Sequence, residues 1–223
     1  EFFTEFVTAG SMKMETAGVL KNGQIVWALA KTGEDFTVFG HDTVESYLHF
    51  TNFHQFGNST DVRFTGVRVV CNNTLQMSLG RKAENMTRFS HRRQWDPETV
   101  KETLGIASNK LMTYKEMVEF LGSKRYTNDS LKQFVMTVFP KAGEDAANDL
   151  SKNAQLALDN MSTQPGAQFG EGTFWQAANV VTYLVDHKLG RTQNNRLTSA
   201  WYGAGSRLKS AAMNVALDLA KAA

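Results

Sequence analysis

Residues 65–75 read Thr-Gly-Val-Arg-Val-Val-Cys-Asn-Asn-Thr-Leu, and this stretch decides how the surrounding chain folds. Its three valines are β-branched and favour an extended backbone. The asparagines and the threonine after Cys71 can accept hydrogen bonds from the free N–H groups at the start of a helix. The stretch therefore predicts a strand that runs into a short helix over residues 72–79. A well-capped junction explains these residues, and a functional polar corner beside Arg68 is the alternative.

The segments before this stretch predict an antiparallel sheet. Asn22-Gly23 separates two apolar runs and supplies the positive φ angles of a type I′ hairpin turn. Residues 36–39 form a third extended segment. Polar and apolar side chains alternate over residues 47–56, which is typical of a strand, and residues 62–70 form the next strand. We expect these last two strands to pair as an antiparallel hairpin.

The chain after residue 95 is predicted to be mostly helical. Thr113 and Glu116 form a capping box at the start of one helix, and Pro140 ends another. The last two helices of the chain, one strongly apolar and one alanine-rich, are expected to pack together. The predicted helices cover residues 97–104, 113–122, 128–139, 146–161, 173–187 and 206–222, and a short amphipathic helix covers residues 1–9.

These elements predict the α+β fold class: an N-terminal antiparallel β-sheet of hairpins with a helix packed on it, followed by a mostly helical C-terminal half. The 223 residues allow a β-rich region with the basic segment over residues 1–95 and a helical region over residues 96–223, or one continuous domain. No apolar run approaches the roughly 20 residues of a membrane span, and the single Cys71 cannot form an internal disulfide. We therefore expect a soluble, cytoplasmic protein that does not contact a membrane.

Charge is distributed unevenly along a chain whose net charge is only +2. Residues 1–62 carry a net charge of −5, whereas residues 63–93 contain seven basic residues and one acidic residue. Such a block is either a solvated surface or an anion-binding face. Phe89 and Trp95 lie among its cations, and this mixture can neutralise phosphates while it stacks bases. The predicted nucleic-acid-binding residues are Arg68, Arg81, Lys82, Arg88, His91, Arg92, Arg93 and Trp95.

The sequence contains no dinucleotide fingerprint, Walker loop or nucleophile elbow. Cys71 could act as a nucleophile near a helix start, but no base is placed beside it and a small core residue is the simpler interpretation. The histidines lack the paired spacing of zinc sites. Residues 203–207 resemble a phosphate loop only weakly, because no strand precedes them. We expect no cofactor, no metal and no catalytic residue.

Several strings of residues together resemble one known family. They are Glu15-Thr-Ala-Gly-Val-Leu, Val26-Trp-Ala-Leu-Ala, residues 65–75, His91-Arg92, Gly172-Thr-Phe-Trp with Asn179, Thr182 and Asp186-His187, and Gly203 before Lys209. The resemblance is to the phage/plasmid-like family of unknown function, which is found on bacteriophages, plasmids and prophages. It implies a mobile-element context in a bacterial host cell, and it implies no reaction. Members usually have further residues before the point that matches Glu1, so we expect a preceding segment.

The favoured hypothesis is a phage or mobile-element DNA-binding protein that binds single-stranded DNA and assembles into homo-oligomers. The predicted sheet, helix and basic segment look like the β-β-β-α core of phage single-strand annealing recombinases, which is an analogy of fold alone. A phage structural or assembly protein is the alternative, with Trp175, Trp201 and Tyr202 in subunit contacts. An uncharacterised nucleotide or nucleic-acid processing enzyme is the third hypothesis.

Overall fold

The computed structural model describes residues 8, 12–54, 59–70, 73–76, 86–90, 97–142 and 149–223. The chain divides into two compact units whose segments alternate along the sequence. The first unit contains residues 1–36, 43–67 and 77–115, and the second contains residues 37–42, 68–76 and 116–223. Two short segments from the N-terminal part of the chain therefore belong to the same unit as the C-terminal helices.

The described elements confirm an α+β fold with the strands first and the helices after them. The strands are β1 (Lys13–Leu20), β2 (Ile25–Lys31), β3 (Phe36–Val38), β4 (Asp42–Phe53), β5 (Thr60–Arg68), β6 (Asn73–Gln76) and β7 (Met86–Phe89). The helices are α1 (Pro97–Ser123), α2 (Asn128–Val138), α3 (Lys152–Asn160), α4 (Phe174–Tyr183), α5 (Gln193–Tyr202) and α6 (Ala204–Ala222). Only Thr8 of the predicted helix over residues 1–9 is described, and the other residues of that helix lie outside the described residues.

The first unit is built on an antiparallel sheet. Strands β1, β2, β4 and β5 lie side by side in that order, and β7 pairs antiparallel with β5. Strands β1 and β2 form the predicted hairpin, which closes at the pair Leu20 and Ile25. Asn22 has a φ angle of 53° and Gly23 one of 87°, and the Gln24 N–H donates to the Lys21 carbonyl. Asn-Gly therefore forms the turn that its conformational preferences predict.

Strand β4 is longer and more buried than the sequence predicts. The alternation over residues 47–56 predicts one buried and one solvated face. Residues 46–51 are instead all buried, so both faces of the strand are covered. This arrangement also buries polar side chains such as Ser46 and Thr51. The Ser46 hydroxyl donates a hydrogen bond to the Glu34 carbonyl, which offsets the cost of its burial.

The predicted helix over residues 72–79 is wrong, because residues 73–76 form β6. A helix of eight residues makes few internal hydrogen bonds and pays the full cost of nucleation, whereas a strand takes its hydrogen bonds from a neighbouring strand. Asparagine and threonine are compatible with both outcomes, so local preference does not decide between them. Within the second unit, β6 lies beside α4 and α6.

Helix α1 replaces the two predicted helices over residues 97–104 and 113–122. The predicted capping box at Thr113 is wrong, since this residue lies inside the helix and its hydroxyl donates to the Asn109 carbonyl four residues earlier. The intervening segment contains only Gly105 as a weak helix former, and no proline interrupts it. One glycine costs a helix about 1 kcal/mol, which is too little to break it.

The second unit is a group of helices around α4. Every residue from Phe174 to Thr182 is buried, so α4 has no solvated face. It packs against α6 as predicted, and α5 also packs against α6. Helix α5 was not predicted from the sequence; it begins after the Thr192 cap and buries Ala200 and Trp201. Its polar first turns, Gln-Asn-Asn-Arg, hid a helix whose apolar residues come only at its end.

The turn at Gly23 tests the local control of the hairpin. An L-residue in a left-handed conformation costs about 1–2 kcal/mol, so Gly23→Ala should lower the free energy of unfolding by that amount. Gly105 is a matched control, because it lies in a helix and a Cβ there would meet no atom within 4 Å. Gly105→Ala should raise stability by roughly 0.8–1 kcal/mol. Urea unfolding followed by circular dichroism measures both changes, and equal signs would contradict this account.

Candidate functional site

The structure describes the side chains of two predicted nucleic-acid-binding residues, Arg68 and Arg88. Arg88 lies on β7, where its side chain is 67% exposed and its Nε atom is 3.9 Å from Asp61 Oδ1. A contact of that length in water holds the guanidinium weakly, so Arg88 can reach an external anion. The other predicted residues, Arg81, Lys82, His91, Arg92, Arg93 and Trp95, lie outside the described side chains.

Arg68 is buried and cannot serve as the surface contact that the sequence predicts. Its side chain is 2% exposed, and its Nε atom donates to both carboxylate oxygens of Asp42 at 2.6 and 2.8 Å. Its Nη2 atom also donates to the Gly166 carbonyl at 2.8 Å. A phosphate could reach this guanidinium only by displacing a buried counter-ion. Arg68 is therefore part of the interior of the second unit.

Trp175 completes this buried cluster. Its indole Nε1 atom donates to Asp42 Oδ2 at 3.0 Å, and its ring is fully buried at the start of α4. The carboxylate of Asp42 thus accepts hydrogen bonds from a guanidinium and an indole, and it is itself fully buried. These contacts satisfy the polar atoms that burial would otherwise penalise. Trp175 and Trp201 both lie in the interior, which removes them as subunit contacts of an assembly protein.

A cleft of about 550 Å³ opens on the second unit. It is lined by Phe39, Gly122, Arg125, Tyr126 and residues 168–173. The volume lies in the range of small-molecule sites. Its lining combines the cation Arg125, the carboxylate of Glu171 and the rings of Phe39, Tyr126 and Phe169. The surface of the cleft is therefore partly polar and partly apolar.

The loop over residues 170–173 shapes this cleft and leads directly into α4. Gly172 adopts a φ angle of 76°, and a Cβ there would lie 2.5 Å from Arg125 Nη2. Only glycine therefore allows the guanidinium to lie against the loop. Thr173 caps α4 by accepting a hydrogen bond from the Gln176 N–H. An isolated antiparallel bridge between Arg125 and Thr173 fixes the two sides of the cleft.

Gln176 joins the loop to the Tyr126 side of the cleft. Its Oε1 atom accepts hydrogen bonds from the Tyr126 hydroxyl at 2.7 Å and from the Gly172 N–H at 2.9 Å. Burial raises the pKa of the Tyr126 phenol above its ordinary value of 10.0, and the Glu171 carboxylate adds to that shift while Arg125 opposes it. Tyr126 therefore stays protonated and acts as a hydrogen-bond donor.

A second buried ion pair links the end of α4 to α6. Lys209 Nζ donates to Asp186 Oδ1 at 2.9 Å, and the two side chains are 2% and 8% exposed. Asp186 lies in a π-helical turn over Leu184–Lys188. Burial lowers the pKa of Lys209 below its ordinary value of 10.5, and the neighbouring carboxylate opposes that shift. Gly205 lets α6 approach this turn, because a Cβ there would lie 2.7 Å from Val185 Cγ1.

Metal and membrane sites are not found in the described part of the chain. Its histidine, cysteine, aspartate and glutamate side chains form no group of three or more that could hold a metal ion. None of its helices combines the length and the apolar character that crossing a bilayer requires. Residues 203–207, the weak phosphate-loop candidate, form the start of α6, and the Gly205 N–H there donates to Ser199 Oγ.

A family model matches residues 1–201 of this chain, and its description is a domain of unknown function. The chain belongs to that family, DUF932. No curated protein and no solved structure matches the chain. The DUF932 fold therefore has to be interpreted from its own geometry.

Neither the cleft nor the buried ion pairs of this DUF932 chain were predicted from its sequence. Asp42 and Lys209 look like ordinary surface charges, because their partners are far away in the sequence. The string Glu-Gly-Thr before the apolar α4 is the one local signal for the loop of the cleft, since a Gly followed by Thr is typical of a capped helix start. Arg125 carries no such signal.

Removal of one partner from the Asp42 cluster should strongly destabilise this DUF932 protein. Asp42→Ala leaves the Arg68 guanidinium buried without its carboxylate, and such losses cost about 3–5 kcal/mol. Asp149→Ala is the control, because its ion pair with Lys141 joins two side chains that are 64% and 38% exposed, so water can solvate the lysine that is left. Urea unfolding followed by tryptophan fluorescence measures the difference. Equal losses for the two variants would contradict the assignment of Asp42 as the central residue of the interior.

Lys209 gives the stability a pH dependence of known sign. Its pKa is lower in the folded chain than 10.5, so in the alkaline range the unfolded chain binds more protons and stability rises with pH. Compared with the double variant Asp186→Leu/Lys209→Met, the wild type should gain stability as the pH rises from neutral towards 10.5. Lys221→Met, at an exposed position, should show no such trend. Urea unfolding at several pH values tests this, and a constant difference would refute it.

Proposed function

We propose that this protein binds single-stranded DNA through the basic segment around β7, in the manner of a single-strand annealing protein of a phage or another mobile element. Arg88 carries the proposal, because it is a mostly exposed cation on β7. The bacterial cytoplasm is the proposed compartment. The mobile-element context rests on the strings of residues that resemble the phage/plasmid-like family.

The ion pairs of the described residues show which arginines of the basic block are already neutralised. Arg63 Nη2 lies 3.2 Å from Asp61 Oδ2, and Arg68 is paired with Asp42. These two arginines of the basic block are therefore neutralised by carboxylates within the protein. The surplus positive charge of the block lies on Arg88 and on the residues that flank β7 in the sequence. Arg88 is mostly exposed and contacts Asp61 only at 3.9 Å, so it can turn to a phosphate without breaking a buried pair.

The flanking residues have the chemistry of a single-strand site. Arg81, Lys82, Arg92 and Arg93 would contact phosphates, and His91 and Trp95 offer rings for base stacking. Single strands expose the bases that such rings need, whereas a duplex hides them. Arg68 is no longer included in this set, because its guanidinium is buried.

A phage structural or assembly protein is the second candidate. Strand β1 supports it, since Val19 is 63% exposed and Met14 is 37% exposed on this strand. Exposed apolar residues on a strand suit a contact between subunits. The same contact would also let a DNA-binding protein assemble into the homo-oligomers that we propose, so assembly alone does not separate the two candidates.

Charge reversal in the basic segment separates them. The variant Arg88→Glu/Arg92→Glu/Arg93→Glu should abolish binding of a fluorescent single-stranded oligonucleotide, measured by anisotropy at several salt concentrations. For the wild type, each phosphate contact should add about 0.7 to the slope of log affinity against log salt. Arg191→Glu/Arg207→Glu/Lys221→Glu is the matched control, because it makes the same change in net charge at exposed positions of the second unit.

Binding that is lost in the first variant and kept in the control supports the basic segment as the site. Equal losses would mean that net charge alone governs affinity, and they would remove the segment from the site. A wild type that does not bind DNA but forms oligomers in light scattering would favour the assembly protein. Circular dichroism of each variant shows whether the fold is kept.

A further inference from the structure

The strongest feature outside the basic segment is an exposed aromatic ring that the fold holds at some cost. Phe39 is 40% exposed and adopts a φ angle of 55°, which is unfavourable for a bulky L-residue. Its ring lies on Gly122, where a Cβ would overlap it, and beside Gly170, where a Cβ would come within 3.4 Å. Two positions without side chains thus make room for this ring. A strained residue that is held in this way is typical of a ligand site.

Arg125 supplies the positive charge of the same cleft. It is exposed, and the turn at Gly172 lets its guanidinium lie against the loop before α4. The N-terminal end of α4 adds a partial positive charge to this side of the cleft. A guanidinium beside a helix start favours an anionic oxygen, and its planar donors match a phosphate well.

Glu171 decides what else the ligand must contain. The cleft lining has one cation and one carboxylate, so its net charge does not favour a small anion alone. A carboxylate accepts hydrogen bonds from the amino and imino groups of a base edge. Phe39 and Phe169 offer rings on which a planar base can stack. The ligand class that satisfies all three features is a base joined to a phosphate.

We propose that this cleft binds one nucleotide unit, with its phosphate at Arg125, its base on Phe39 and its base edge at Glu171. The unit can be a free nucleotide or one residue of a single strand, and both present the same chemistry. If the unit is one residue of a single strand, the cleft adds a base pocket to the DNA-binding function proposed above, and the inference rests on that function. If the unit is a free nucleotide, the inference does not depend on DNA binding.

The test uses the full chain and three kinds of probe. Free dGMP and inorganic phosphate are titrated by calorimetry, and a fluorescent single-stranded oligonucleotide is titrated by anisotropy. Arg125→Gln should weaken nucleotide binding about tenfold or more, since it removes a charged hydrogen bond. Phe39→Leu keeps an apolar side chain on Gly122 but removes the stacking ring, and it should weaken binding about fivefold or more. Arg207→Gln is the control, because Arg207 is exposed in the same unit and does not line the cleft.

A second measurement does not depend on affinity. An oligonucleotide that contains 5-iododeoxyuridine is cross-linked to the wild type by light, and the attachment point is mapped by mass spectrometry. We expect a cross-link at Phe39, Phe169 or Tyr126. Thermal unfolding of every variant checks whether a loss of binding comes from a loss of structure. The cross-link in the wild type tests the site even if a variant fails to fold.

The outcomes separate this inference from the proposed function. Binding of dGMP without oligonucleotide binding supports the cleft and removes the DNA-binding function. Oligonucleotide binding that is weakened by Arg125→Gln and not by Arg207→Gln supports the strand as the source of the nucleotide. Oligonucleotide binding that neither variant changes, with no cross-link in the cleft and no binding of dGMP, overturns the cleft and leaves the DNA-binding function intact. Phosphate binding as tight as dGMP binding also overturns it, because the ring and the carboxylate would then contribute nothing.

Discussion

The buried carboxylate of Asp42 is the interaction on which the second unit depends. It accepts hydrogen bonds from Arg68 and from Trp175, and the Arg68 guanidinium extends this cluster to the Gly166 carbonyl. One ionic group thus joins the start of β4, the end of β5 and the start of α4. A buried charge is tolerated only where its partners satisfy it, so this cluster allows few other arrangements of these segments. It also places the Trp175 ring against Gly170, which belongs to the loop that shapes the cleft.

Part of the strings of residues that resemble the phage/plasmid-like family lies in this interior, whereas residues 15–20 on β1 are mostly exposed. Trp175, Asn179 and Thr182 are buried on α4, and Asp186 pairs with Lys209. Their surroundings show that they hold helices together. The residues proposed to bind a ligand are ones that the fold leaves accessible. Arg88 and Arg125 are of this kind. Arg88 lies on β7, which pairs with β5, and Arg125 lies against the loop at Gly172.

The chain, although almost neutral overall, offers two separate candidate binding surfaces. The basic segment of the first unit offers many cations. The cleft of the second unit offers one cation, a strained aromatic ring and a carboxylate. The first arrangement suits the repeating charge of a nucleic-acid backbone, because such binding depends on the number of phosphates neutralised. The second suits a single nucleotide, because it combines charge, stacking and a base edge at one place.

The sequence by itself determined the elements whose signals are local. The hairpin turn at Asn22-Gly23 follows from the backbone preferences of two residues, and the presence of α2, α4 and α6 follows from Pro140 and apolar spacing. The apolar spacing over residues 173–187 did not show that α4 ends at Tyr183 and is followed by a π-helical turn. Only the tertiary structure decided that residues 73–76 form a strand, because a short polar segment takes the conformation that its neighbours stabilise. The tertiary structure also buries Arg68. Its partner Asp42 lies 26 residues earlier in the chain, and the Asp42 carboxylate also accepts a hydrogen bond from Trp175, which is 133 residues from Asp42. Contacts over such distances leave no periodic pattern in the sequence, so a buried arginine and a surface arginine look alike until the chain is folded.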